Sequence, residues 1–233
     1  MTVVVQGRTL EFPIVVRKAT TWSAQFLVPM SRAQELVPKG LEPATMFGKA
    51  ILALAFVRYE DGDLDAYNEF AVSFAVKPHD RKPKPFDLMH GKVCAYIRHL
   101  PVDQPFTMEA GRSIWGYPKW LARIDIATSN GVTSCGLRDG DAHVLTLSVD
   151  EDGPIPLPQR PIPTYSDAEG TLNRTPWLVT GNGGARLRGA RITLGDGEIA
   201  SELRSLGLPK HAFMSNTIRN VHAEFGEPVP VLL

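Results

Sequence analysis

Along most of this chain apolar and polar residues alternate with period two, the mark of strands with one face in a core. The pattern predicts strands over Thr9–Val16 and Trp22–Val28, the first interrupted by Pro13 and so suited to a sheet edge. Ser31–Val37 reads as a short helix, with Ser31 at the cap and Pro38 as its stop. Met46–Tyr59 is a long buried strand bent at Gly48, followed by a turn at Asp61-Gly62-Asp63. In the next strand, Tyr67–Val76, residues Phe70, Val72, Phe74 and Val76 share one face. Tyr67, Glu69, Ala71, Ser73 and Ala75 share the other, which is small beyond Glu69 and suited either to lining a cavity or to facing solvent. His79–Pro85 reads as an exposed loop, and Gly91–Leu100 alternates again before Pro101 and Pro105 lead into a loop.

Further on, Leu121–Thr128 opens a group of three antiparallel strands over 121–149, divided by turn signals at Ser129-Asn130-Gly131 and Arg138-Asp139-Gly140. Gly153–Pro163, rich in proline, reads as an extended connector. Strands are expected over Asn173–Thr180 and Ala185–Leu194, joined by a turn at Gly181–Gly184, and over Met214–Phe225. Glu198–Leu206 fits a helix, with Gly207 just past its end and Pro209 blocking continuation. The sum is an α+β fold, predominantly antiparallel β, with curved sheets closed into a cone or barrel around a ligand cavity and a few short helices. A length of 233 residues suits one domain spanning 1–233.

Composition narrows the functions open to such a fold. Lysine plus arginine and aspartate plus glutamate both number 25, so nothing points to nucleic acid or another polyanion as partner. No apolar run approaches the roughly 18 residues of a membrane span, and Met1–Gly7 lacks the features of a secretory signal, so a cytoplasmic protein with no membrane partner is expected. The two cysteines and six histidines show no metal-ligand spacing, so no metal and no cofactor are expected. There is no Gly-x-Ser-x-Gly elbow. The glycines at 181–184 lack the Gly-Lys-Ser/Thr ending of a phosphate loop, and a strand pattern follows them.

Chemistry concentrates between Glu109 and Arg123, where two tryptophans, a tyrosine and a proline surround Lys119. Pro118 fixes its own φ and holds Tyr117 extended, which stiffens the chain entering Lys119. Gly111 and Gly116 permit tight turns or close backbone approach. A free lysine titrates at about 10.4, and burial against aromatic rings disfavours its charged form. An amine freed in this way is a nucleophile towards ketones. The competing reading lays the lysine stem along a ring and leaves the charge in water.

The run Gly111-Arg112-x-x-x-x-Tyr117-Pro118-Lys119 resembles the signature of the acetoacetate decarboxylase family. The enzyme that names the family is itself a standard example of an activated lysine. The resemblance implies that Lys119 forms a Schiff base with a β-keto acid. It also implies that Glu69, two residues after Tyr67, is the catalytic glutamate. Tyr67, Arg112, Trp115, Tyr117 and Trp120 are the candidate substrate-binding residues, Arg112 serving either to brace the loop or to act on the lysine by its charge. A cone-like β structure with the lysine inside and assembly into homo-oligomers are implied as well. Leu36-Val37-Pro38, Leu41-Glu42 and Leu206–Pro209 extend the likeness along the chain. Three departures stand out: Trp120 replaces a second lysine, a further glutamate falls on an apolar residue near Leu54, and an early basic residue has only Arg17 and Lys18 nearby. The expected function is that of a Schiff-base lyase decarboxylating a small or medium oxo acid. The alternatives are an aldolase-dehydratase acting on oxo acids and a non-catalytic small-ligand-binding barrel.

Overall fold

The structure, a computed structural model, describes residues 1–77, 93–157 and 161–231. The expected loop at His79–Pro85 lies outside them.

Strands β1 (Thr2–Val5) and β2 (Arg8–Glu11) form a hairpin through Gln6-Gly7, both in left-handed conformation. Pro13 ends the second strand at a cis bond, and β3 (Ile14–Val28) then runs unbroken for 15 residues. Helix α1 (Met30–Leu36) is capped by Pro29 in extended conformation, so Ser31 lies inside the helix and not at its cap. The bend expected at Gly48 is a tight hairpin: Phe47 and Gly48 both have positive φ and join β4 (Thr45–Met46) to β5 (Lys49–Gly62). Two consecutive left-handed residues fit a tight hairpin turn, which reverses the chain rather than bending it.

Next come β6 (Tyr67–Val76) and β7 (Cys94–Val102). Helix α2 (Pro105–Trp115) follows where a loop was expected. Gln104 caps it by accepting from the Thr107 amide at 2.6 Å, Pro105 occupies its first turn, and Gly116 ends it in left-handed conformation (φ 65°). Then β8 (Lys119–Leu121) leads to a meander of β9 (Arg123–Ser129), β10 (Val132–Asp139) and β11 (Ala142–Asp150), as the alternation predicts.

The remaining elements are β12 (Ile155–Pro156), β13 (Thr164–Ala168), β14 (Thr171–Thr175), β15 (Trp177–Leu187), β16 (Ala190–Leu194), α3 (Glu198–Ser205), β17 (Met214–Phe225) and β18 (Val229–Pro230). The glycines at 181–184 do not make the expected turn. They lie inside β15, where a side chain on Gly183 would run into the Thr217 carbonyl and one on Gly184 into the Gly153 carbonyl. Glycine serves there for close backbone approach.

Most strands join one large, mainly antiparallel sheet in the order β12-β15-β17-β3-β5-β6-β7-β13-β14-β18. Strand β8 adds to β7 in parallel. A second sheet orders β16-β11-β10-β9. The expected closure into a cone or barrel is not seen: among the described residues no sheet closes on itself, and the large one ends at β12 and β18. Alternation divides the large sheet between two cores. Phe26, Leu54, Phe56, Phe70, Val72 and Phe74 pack with Leu137, Leu145 and Leu147 of the smaller sheet and Leu203 of α3. The opposite face buries Val57, Tyr59, Tyr67 and Val102 with Ala110 and Trp115 of α2.

Candidate active site

The second core holds an ion pair. Lys119, first residue of β8, is buried, and its Nζ lies 2.8 Å from Glu69 Oε2. Glu69, the third residue of β6, is buried as well. Register explains the meeting, because β7 lies between their strands and pairs Val102 with Glu69 and Leu100 with Lys119. The amine also donates to Thr107 Oγ1 at 3.2 Å, and it stands 5.2 Å from the centre of the Tyr67 ring. Tyr67 stacks on Tyr59 with ring centres 4.3 Å apart, and the Tyr59 hydroxyl donates to Glu69 Oε1 at 3.1 Å. Burial, with the Glu69 carboxylate next in effect, pushes both phenols well above their ordinary value. They therefore remain protonated donors.

Helix α2 shapes this pocket of polar groups. Gly111 faces the lysine stem so closely that a Cβ would run into Lys119 Cδ and Cε. At the next residue, Arg112 Nε donates to the Lys119 carbonyl at 2.5 Å and ties the helix to β8. The guanidinium therefore meets the lysine backbone and not its amine.

The other aromatic candidates sit elsewhere. Trp115 is fully buried, donates from Nε1 to the Gly226 carbonyl at 2.9 Å and packs against Phe12, Tyr117 and Phe225. Tyr117 is hydrogen-bonded to Thr164 Oγ1 at 2.6 Å, and burial pushes its phenol up to about 12. Trp120 packs on the first core, on the face of the sheet opposite the amine. With His99, Arg112, Val144 and Ile199 it lines a cavity of about 390 Å³ that reaches Lys119 from the α3 side. The structure thus brings Lys119, Glu69 and Tyr67 together, places Arg112 at the lysine backbone, and sets Trp115, Tyr117 and Trp120 apart from the amine.

Two residues of the site escaped the sequence reading. Tyr59 is the cross-strand partner of Tyr67, a pairing that follows from centring the β5–β6 hairpin on its turn. Thr107 sits in the first turn of α2, which Gln104, Pro105 and Gly116 together signal. Of the residues weighed for the missing positions, Leu54 lies in the opposite core, and Arg17 is engaged at the surface by Asp61 and Asp63.

A buried amine paired with a carboxylate, each also hydrogen-bonded to a neighbouring hydroxyl, is an arrangement suited to nucleophilic chemistry with proton transfer. A family model described as acetoacetate decarboxylase matches residues 5–208. The chain belongs to the acetoacetate decarboxylase family.

Solved structures agree on the fold. An acetoacetate decarboxylase from Legionella pneumophila aligns over 97% of this chain and 91% of its own, with a TM-score of 0.74 at 15% identity. An acetoacetate decarboxylase-like enzyme from Sphingomonas wittichii covers 99% of this chain and 98% of its own, with a TM-score of 0.69 at 16% identity. The enduracididine biosynthesis enzyme MppR, complexed with the condensation product of pyruvate and imidazole 4-carboxaldehyde, covers 95% and 90%, with a TM-score of 0.68 at 16% identity. A comparison with curated proteins found no match. The chain is therefore an acetoacetate decarboxylase-like enzyme in family and fold, and the match spans the segments that carry both Glu69 and Lys119.

Proposed function

We propose that this protein is a Schiff-base lyase in which Lys119 attacks the ketone of a small or medium oxo acid and Glu69 moves the protons. The observation that carries this reading is the buried pair itself, with Nζ and Oε2 2.8 Å apart. Glu69 takes a proton from the ammonium, and the freed amine adds to the ketone carbon. Glu69 gives that proton to the departing hydroxyl, water leaves, and a protonated imine forms between Lys119 and the substrate. Electrons from the bond to the carboxylate flow towards the imine nitrogen, carbon dioxide departs, and an enamine remains. Glu69, reprotonated from solvent, delivers that proton to the enamine carbon, and hydrolysis of the imine frees the ketone product and the lysine.

A lysine with 4% of its side chain exposed supports this reading over a passive binding role, for which a solvent-reaching charge would be expected. Beyond Glu69 the same face of β6 carries only Ala71, Ser73 and Ala75, which supports placing the substrate there.

A second reading keeps the imine and uses the enamine to add to an aldehyde, followed by loss of water. Two observations favour it: Arg112 is held at the Lys119 carbonyl, away from where it would grip a carboxylate beside the amine, and MppR was captured with a condensation product. Incubation with 3-oxo acids, and separately with pyruvate and an aldehyde, tests the two. Carbon dioxide release from 3-oxo acids supports the first reading. Condensation product without carbon dioxide supports the second, and neither product overturns both. In either reaction Glu69→Gln is expected to lower the rate by about 10²–10⁴-fold, the usual worth of a general acid–base group.

A further inference from the structure

We propose that Tyr59 is a positioning residue for Glu69, holding one carboxylate oxygen so that the other alone receives the lysine proton. The proposal rests on the lyase reading above. Glu69 has two oxygens with different partners: Oε1 accepts from the Tyr59 hydroxyl at 3.1 Å, and Oε2 faces Lys119 Nζ at 2.8 Å. A free carboxylate can rotate and offer either oxygen. Here rotation would break both contacts inside a buried site, where an unmet hydrogen bond is costly.

Strand β5 brings Tyr59 to this position. Val57 lies directly opposite Glu69, and Tyr59 lies two residues on, opposite Tyr67. The stack of Tyr59 on Tyr67 fixes the phenol ring, and with it the direction of the hydroxyl. Leu54 is turned to the other core, so β5 contributes a neutral hydrogen-bond donor to the site. A phenol suits the task. It satisfies Oε1 without adding charge, whereas a second carboxylate would compete with Glu69 for the same proton. The other titratable groups around Glu69 are Lys119 from β8 and Tyr67 on its own strand; Tyr117 bonds Thr164 and makes no hydrogen bond to the carboxylate.

The substitution Tyr59→Phe keeps the ring and its stacking while removing the hydroxyl. Its kcat is expected to fall about tenfold with KM little changed, in keeping with the roughly 1.5 kcal/mol of a hydrogen bond to a charged group. The acidic limb of its kcat/KM profile is expected to move to higher pH, because the ionised form has lost a donor. An activity-independent measurement separates this proposal from the lyase reading: NMR titration of the Glu69 carboxyl in protein labelled with ¹³C at glutamate Cδ. An upward move of the midpoint by about one pH unit in Tyr59→Phe supports the positioning role. An unmoved midpoint overturns it, whatever reaction the enzyme performs. Tyr117→Phe is the control: that hydroxyl bonds Thr164 Oγ1 and makes no hydrogen bond to Glu69, so its loss is expected to leave the midpoint close to that of the unaltered protein. If the unaltered protein neither traps nor converts any oxo acid while the midpoint still moves, the lyase reading fails and the hydrogen bond stands.

Discussion

Gly111 shows how one missing side chain shapes the site. It lies within α2, where alanine would ordinarily be favoured over glycine by about 1 kcal/mol. Its Cβ, however, would run into the Lys119 stem. Gly111→Ala therefore opposes a helix gain to a displaced lysine. The displacement is expected to dominate activity, since a shift of about 1 Å in a reacting group can cost 10²-fold. Steady-state kinetics alongside thermal unfolding would show activity lost by a far larger factor than stability; unchanged kinetics would mean that the stem yields without moving the amine. Glu69 presents the same trade at higher stakes. Removing Lys119 leaves a buried carboxylate without its partner, a change that costs about 3–5 kcal/mol in comparable buried pairs. Lys119→Ala is accordingly expected to lower the unfolding midpoint, and Lys119→Ala combined with Glu69→Gln to recover part of it.

Among the elements, α3 is tied to the large sheet by the Glu202 carboxylate in addition to its packing through Leu203. Glu202 accepts from Arg98 Nη2 at 2.7 Å and lies 3.0 Å from His99 Nε2. Burial alone would raise its pKa, but the hydrogen bonds and charges of His99 and Arg98 outweigh that and hold it at about 2, against 4.5 for a free carboxyl. The contact thus stabilises fully above about 4.5, and the contribution fades as pH falls through about 2. Comparing unfolding midpoints of the unaltered protein and Glu202→Gln across that window should show a gap that narrows towards acid; a constant gap would mean that the contact does not depend on the carboxylate charge. Strand β15 offers a different test. Gly183→Ala would press a methyl into the Thr217 carbonyl of β17 and is expected to be clearly destabilising in a chemical denaturation curve. A turn at this point would have tolerated the change.

That contrast also shows what the sequence could reveal. Period-two alternation located Tyr67–Val76, the 121–149 meander and Met214–Phe225, because each buries a large-residue face whose register is strongly specified. It failed at Gly181–Gly184, where glycine reports the closeness of another backbone, a tertiary fact that looks like a turn in sequence. It failed again at α2, whose interior holds Thr107 and Gly111, residues chosen for their contact with Lys119 against helix propensity. At the site, Lys119 and Glu69 were legible through a motif. Tyr59 was not, because its role appears only once β5 and β6 are paired in register. Trp115 and Tyr117 misled for the opposite reason: beside the lysine in sequence, their side chains enter the core between α2 and the ends of β15 and β17.

For the molecule as a whole, the large sheet separates two cores and places the lysine–glutamate pair in only one of them, under α2. The chemistry proposed depends on that amine forming a covalent imine, which borohydride reduction makes permanent. The most direct measurement is therefore intact and peptide mass spectrometry after reduction in the presence of acetoacetate and a panel of 2-oxo and 3-oxo acids, with Lys119→Ala alongside. The account predicts a mass increase matching one reduced adduct, located on Lys119 and absent from the variant. An adduct at some other lysine, or none from any acid in the panel, would contradict it.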